Sequence, residues 1–161
     1  MMRMEYSETG VFEDLQTQTV LNREFPVPEY SVTQSDDRLE IETEAFHMIY
    51  DKKKFSEEGL FIDVKYDFTN YGGRYFGAKT YSFPPREHNL KGTMRTLDRA
   101  DGEVELEYGL MDKSGRTFFD DSKSFVFDEE NMPSKRKHEE IDVYYLAYGR
   151  DYFACLRDFY K

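Results

Sequence analysis

The side chains in this 161-residue chain that could do chemistry are three histidines, one cysteine and 33 carboxylates. His47, His88 and His138 stand far apart, and none belongs to an HExxH or CxxC spacing that would gather metal ligands. No metal site is expected. Cys155 has no His or Cys beside it in sequence to hold a thiolate, so it reads as a buried thiol rather than a nucleophile, and it offers no internal disulfide. There is no GxSxG elbow to present a serine and no GxxxxGK[ST] loop to cradle a phosphate, so the common serine-hydrolase and nucleotide signals are missing and no cofactor is implied. Acidic pairs such as Asp120 and Asp121 have the residue type for glycosidic acid/base work. In a chain this rich in carboxylates they single out no site.

The elements that would position any site are mainly strands. LFIDVKYDF alternates Leu60, Ile62, Val64, Tyr66 and Phe68 with Asp63, Lys65 and Asp67, the period of a strand with one face buried. RLEIETEAF, with Leu39 and Ile41, and EVELEYGL, with Val104, Leu106 and Tyr108, keep the same rhythm. Further strands are expected at 46–50, 118–127 and 141–148, with weaker candidates at 4–6, 30–34 and 75–81. Turn residues divide them at SEEG, NYGG, DRADG and DKSG, ending on Gly59, Gly73, Gly102 and Gly115. Pro26 and Pro28 suit an extended edge segment, and the basic run of NMPSKRKHEE reads as a solvated loop. Only after Gly149 does the period change. Tyr152, Cys155, Leu156 and Phe159 then fall on one helical face, with Asp151 placed to cap it. Many one-sided strands and one terminal helix predict an all-β fold, an antiparallel β-sandwich with a C-terminal helix.

Composition bounds the partners. The 14 Phe and 13 Tyr with no Trp supply an aromatic core for one domain, and the net charge of −11 repels a phosphate backbone, so no nucleic acid is expected. No apolar run reaches the ~20 residues of a membrane span, and MMRMEYSETG lacks the apolar stretch of a signal peptide. A cytoplasmic chain without a membrane partner is expected.

Four stretches resemble one family. NLKGTMRTLD, 89–98, is similar to the NLGGTxRTLD segment in the amino-terminal domain of glycoside hydrolase family 31, the retaining α-glucosidases and α-xylosidases. GLMDKSGRTFFDDS, 109–122, resembles that family's GLLSRDGWxxxDDS. IDVYYLAYGRDYFACLRDFYK, 141–161, resembles its D(L/V)YFFGYGxDYxxALxDFY, and EYSETGVFEDLQTQTVLNREFPVP, 5–28, matches in the same order.

The resemblance implies a galactose-mutarotase-like sandwich over 1–149, with 150–161 opening the helix that leads to a catalytic (β/α) barrel of about 250 residues. The two catalytic aspartates of such enzymes lie on that barrel, with carboxyls ~5 Å apart for retention, and neither is expected here. This chain is therefore expected to be a non-catalytic piece that supports its own barrel and helps wall the pocket for an α-linked oligosaccharide. The wall would come from Asp112, Lys113, Ser114, Gly115 and Arg116, where Arg116 replaces the family's aromatic platform. That stretch is either a plain hairpin turn with exposed charges or a place where the Arg116 fork donates to substrate. In NLKGTMRTLD the expectation is a structural corner, with Gly92 relieving backbone crowding and Thr93, Arg95, Thr96 and Asp98 satisfying buried groups. Two other readings compete: a free-standing carbohydrate-binding module gripping sugars with exposed aromatics, and a structural domain that presents an apolar patch to a partner chain.

Overall fold

The two-residue alternation is realised as antiparallel pairing where a neighbouring strand is at hand. The computed structural model describes residues 1–53, 59–64, 74–75, 89–92, 101–113 and 115–161. A five-stranded meander is built from β2 (Tyr30–Gln34), β3 (Leu39–Thr43), β4 (Phe46–Tyr50), β5 (Leu60–Val64) and β6 (Arg74–Tyr75), in that order and antiparallel throughout. A three-stranded sheet joins β1 (Met2–Ser7), β10 (Glu140–Ala147) and β7 (Arg116–Asp120), with β10 in the centre. A two-stranded ribbon, β8 (Val126–Phe127) and β9 (Pro133–Ser134), lies between β7 and β10 in sequence. One helix, α1 (Tyr152–Phe159), closes the described chain.

The two larger sheets share a core. Met4 of β1, Phe46 and Met48 of β4, Leu60 and Ile62 of β5, and Val143 and Tyr145 of β10 form one buried apolar cluster. Each such side chain removed from water contributes roughly 1.5–3 kcal/mol. β10 is buried on both faces. Val143 and Tyr145 turn to the shared core, while Tyr144 and Leu146, displaced by one residue, turn the other way and pack with Met111 and Cys155. That second layer brings α1 onto the outer face of the small sheet.

The strands expected at 30–34 and 46–50 are β2 and β4 with the expected bounds, that read in RLEIETEAF is β3, and those at 141–148 and 4–6 are found within two residues. β5 and β6 realise the described parts of 60–68 and 75–81, whose remainders lie outside the described residues. Two expectations are corrected. The stretch 118–127 is not one strand: after Asp120 the chain turns, with the Ser124 amide bonded to the Asp121 carbonyl at 3.1 Å, and resumes as β8. The alternating EVELEYGL forms no ladder either. Its backbone pairing with 89–92 among the described residues is the isolated bridge of Gly92 with Glu107, and Leu106 and Tyr108 stay exposed.

Candidate functional site

The segment 107–112, which leads into the turn at 112–116, is placed by side chain and backbone together. Asn89 does the work of a missing strand neighbour: its Oδ1 accepts from the Gly109 and Lys91 amides, both at 2.8 Å, and its Nδ2 donates to the Gly109 carbonyl at 2.8 Å. A Cβ on Gly109 would stand 3.0 Å from the Lys91 carbonyl oxygen, so a side chain there would have to press that carbonyl back by a few tenths of an ångström. For Gly92, expected to relieve crowding, nothing among the described residues lies within 4 Å of where its Cβ would be. Thr93, Arg95, Thr96 and Asp98 lie outside the described residues.

The predicted pocket wall follows. Asp112 is buried, Lys113 exposed and Gly115 buried, while Ser114 and the Arg116 side chain lie outside what is described. Gly115 takes φ +72° and its amide bonds the Asp112 carbonyl at 2.9 Å. Its own carbonyl accepts from the Tyr148 amide at 2.9 Å, and a Cβ there would overlap the Gly149 carbonyl oxygen at 1.6 Å. The Tyr152 hydroxyl adds a bond to the Lys113 carbonyl at 2.8 Å. The turn is therefore clamped onto the strand-to-helix junction at Gly149. Of the charges expected to be exposed there, Asp112 is buried, because its end of the turn faces the second core layer beside Met111. Arg116 opens β7 opposite Ala147.

A second constellation was not singled out from the sequence. On the outer face of the small sheet, Asp142 accepts from three guanidiniums: Arg3 at 2.9 and 3.1 Å, Arg23 at 2.9 Å and Arg136 at 2.9 Å. Asp121 accepts from the Thr17 hydroxyl at 2.9 Å and from Arg23 at 3.3 Å. Arg136 also pairs with Glu140, and the Ser122 Oγ accepts from the Asp142 amide at 3.0 Å. Asp121 and Asp142 have no exposed surface. Burial pushes the Asp142 carboxyl up, but the hydrogen bonds and charges of the guanidiniums outweigh it and hold it below the usual carboxylate range. The basic run 135–137, expected to be solvated, is split by the alternation of an extended segment. Lys135 and Lys137 face water, while the Arg136 side chain is 5% exposed. Chemically the cluster is an ion-paired joint: its carboxylates are occupied by guanidiniums, which leaves them ill suited to proton transfer.

Beside it lies α1. The Asp151 carboxylate accepts from the Ala154 amide at 2.9 Å, the cap expected from sequence. Cys155 is buried, and burial pushes its thiol up to about 11, away from nucleophilic use. Tyr152 and Phe159 pack inward with it, Phe159 meeting Phe119 edge-on at 5.6 Å. Leu156, expected on that face, is 37% exposed, and Phe153 and Tyr160 turn outward at 86% and 79%. The spacing rule finds one apolar face; this helix has two. A cavity of about 370 Å³ lies between the helix end, the small sheet and residues 18–25, with Leu21, Phe25, Phe119, Tyr144 and Tyr160 among its walls.

His47 Nε2 lies 3.0 Å from Glu40 on the neighbouring strand, a surface pair, and His138 meets Glu13 through its backbone amide. His88 lies outside the described residues. No group of three or more His, Cys, Asp or Glu is disposed to hold a metal among the described residues. No described helix is long and apolar enough to cross a membrane. What the geometry defines, among the described residues, is a mostly β architecture of antiparallel sheets with one short C-terminal helix, whose candidate site is an ion-paired, apolar-rimmed face. In comparisons with known proteins, no family model and no curated protein matches the chain.

Proposed function

We propose that this chain is the non-catalytic, galactose-mutarotase-like sandwich of a retaining α-glycosidase of the family 31 type, in which it supports a catalytic barrel. One observation carries the reading. Three of the stretches that resemble the family meet on one face: Asp121 and Ser122 from 109–122, Thr17 and Arg23 from 5–28, and Asp142 from 141–161 bond one another across separations such as |i−j| = 104 and 119. Residues that would serve a common structural purpose are thus brought into a common place.

The same face offers a docking surface. Phe153 and Leu156 of α1, Tyr160 just after it, and Leu21 near Tyr160 are exposed apolar side chains, and a barrel seated there would remove them from water. The turn Asp112–Arg116, clamped at Gly149 next to α1, would then stand at the barrel mouth and wall the pocket for an α-linked oligosaccharide. A cytoplasmic setting agrees with a single cysteine. The competing reading, a free carbohydrate-binding module, draws on the outward rings of Phe153 and Tyr160.

The test is to read the transcript beyond the Lys161 codon, express the whole frame and assay it on aryl α-glucosides and α-xylosides. A barrel with two aspartates, and hydrolysis with retention, are expected. A frame without a barrel overturns the proposal. Binding of malto-oligosaccharides by this chain alone, lost on Tyr160→Ala, would favour the module.

A further inference from the structure

The stretch from Thr9 to Val27 crosses the outer face of the small sheet without a strand or helix of its own. Its polarity is inverted. Val11, Phe12, Leu15, Leu21 and Val27 are exposed, whereas Thr17 has no exposed surface and the Arg23 side chain is 9% exposed. Val20 is the one strap residue packed against the apolar layer below. Apolar burial therefore contributes little to holding this stretch down, and its fastenings are polar.

The fastenings come from every element beneath it. From β1, Arg3 reaches Asp14 at 2.7 Å and Asp142, with Glu5 alongside. From within the stretch, Arg23 pairs with Asp14 at 3.0 Å, Asp121 at 3.3 Å and Asp142 at 2.9 Å. From the turn after β7, Asp121 takes the Thr17 hydroxyl. From the approach to β10, the Glu140 carboxylate accepts the Glu13 amide at 3.2 Å, Arg136 pairs with Glu140 and Asp142, and Glu13 accepts the amides of Lys137 and His138. Tyr144 of β10 lies under Arg3, 5.7 Å from guanidinium to ring centre. Two backbone bonds, Gln18 amide to Phe125 carbonyl at 3.0 Å and Phe127 amide to Gln16 carbonyl at 2.9 Å, add to the attachment, as does the hydroxyl pair Thr19–Ser124 at 3.3 Å.

The network is also incompletely satisfied. The Nε–H groups of Arg23 and Arg136 and the Tyr144 hydroxyl are buried with no hydrogen-bond partner among the described residues. Opening would give each of them water, which lowers the cost of release.

We propose that residues 9–27 form an ion-latched strap that releases at acid pH as a unit, uncovering the aromatic cavity wall while the two-sheet core stays folded. The direction follows from the carboxylates. Hydrogen bonds from Arg3 and Arg23 hold Asp14 below its ordinary value, and Asp142 is held down as well, so their contribution is full above pH ~4 and is lost as pH falls through the lower native values. Glu5 works the other way: burial raises it, so it protonates earlier and its protonation favours the closed strap. Release therefore belongs below pH ~4, not to the Glu5 range. The core of Met4, Phe46, Met48, Leu60, Ile62, Val143 and Tyr145 contains no carboxylate, so no side chain of it titrates in this range.

Hydrogen exchange of the whole chain, at pH 7 and pH 3 and expressed as protection factors, tests this. Amides of Gln18, Val20 and Phe127 are expected to lose at least tenfold in protection at pH 3, while those of β4 and β5 keep theirs within about threefold. Asp14→Asn at pH 7 should reproduce part of the loss with β4 and β5 protection intact; that second reading shows that the variant is folded. Equal losses in strap and core at pH 3, or unchanged strap protection at pH 3, would overturn the proposal.

Discussion

Gly115→Ala separates a backbone contact from a backbone preference, because a second glycine supplies the control. Gly10 and Gly115 share φ +72°, but nothing lies within 4 Å of a Cβ at Gly10, whereas at Gly115 the Gly149 carbonyl oxygen would be 1.6 Å away. Gly10→Ala should therefore cost only the left-handed backbone term, about 1 kcal/mol. Gly115→Ala adds an overlap that no small adjustment removes. The turn must retreat, and the Tyr148 amide loses the Gly115 carbonyl now 2.9 Å away, while the Gly115 amide loses Asp112. An orphaned buried donor costs ~1–3 kcal/mol and an ordinary bond ~1 kcal/mol, so the total is about 3–5 kcal/mol. For a chain of this size each kcal/mol moves Tm by roughly 2–4 °C, which separates the two variants by at least about 4 °C. Thermal and urea unfolding followed by circular dichroism would measure both. If the two alanine variants are equally destabilised, within ~0.5 kcal/mol, the turn is not clamped on Gly149 and its position beside α1 is wrong.

Arg136→Ala should destabilise by about 3–5 kcal/mol, since it leaves the buried Glu140 carboxylate without its guanidinium, while Lys137→Ala in the same basic run should stay within about 0.5 kcal/mol; equal effects in urea titrations would refute the burial of Arg136. Asn89→Ala orphans the amides of Gly109 and Lys91 and is expected to cost roughly 2–3 kcal/mol, with Asn89→Asp recovering the acceptor but not the donor and falling between; a neutral Asn89→Ala would show that the amide is not pairing with backbone. Cys155, pushed up to about 11 by burial, should react with an aromatic disulfide at pH 8 on the order of a hundredfold more slowly in the native protein than in urea, and rapid native labelling would contradict its burial.

Periodicity alone determined where the chain could be a strand with one wet face, as in β3, β4 and β5, because a local two-residue pattern needs no knowledge of the partner. It likewise placed the Asp151 cap and the burial of Cys155, both set within one turn of helix. The same pattern failed at EVELEYGL, since a strand exists only where a neighbour supplies hydrogen bonds, and Asn89 meets that demand with a side chain instead. Asp121 and Arg136 were invisible for a related reason. One carboxylate among 33 and one arginine in a basic run carry no mark of burial, and what buries them is Arg23 and Thr17 arriving from about a hundred residues away. The clamp of Gly115 on Gly149 is of the same kind: the sequence gives two glycines in turns, and tertiary packing decides that their backbones touch. Short-range patterns are written in composition and spacing, but long-range pairing depends on which surfaces the folded sheets bring within reach of each other, and only the three-dimensional structure holds that.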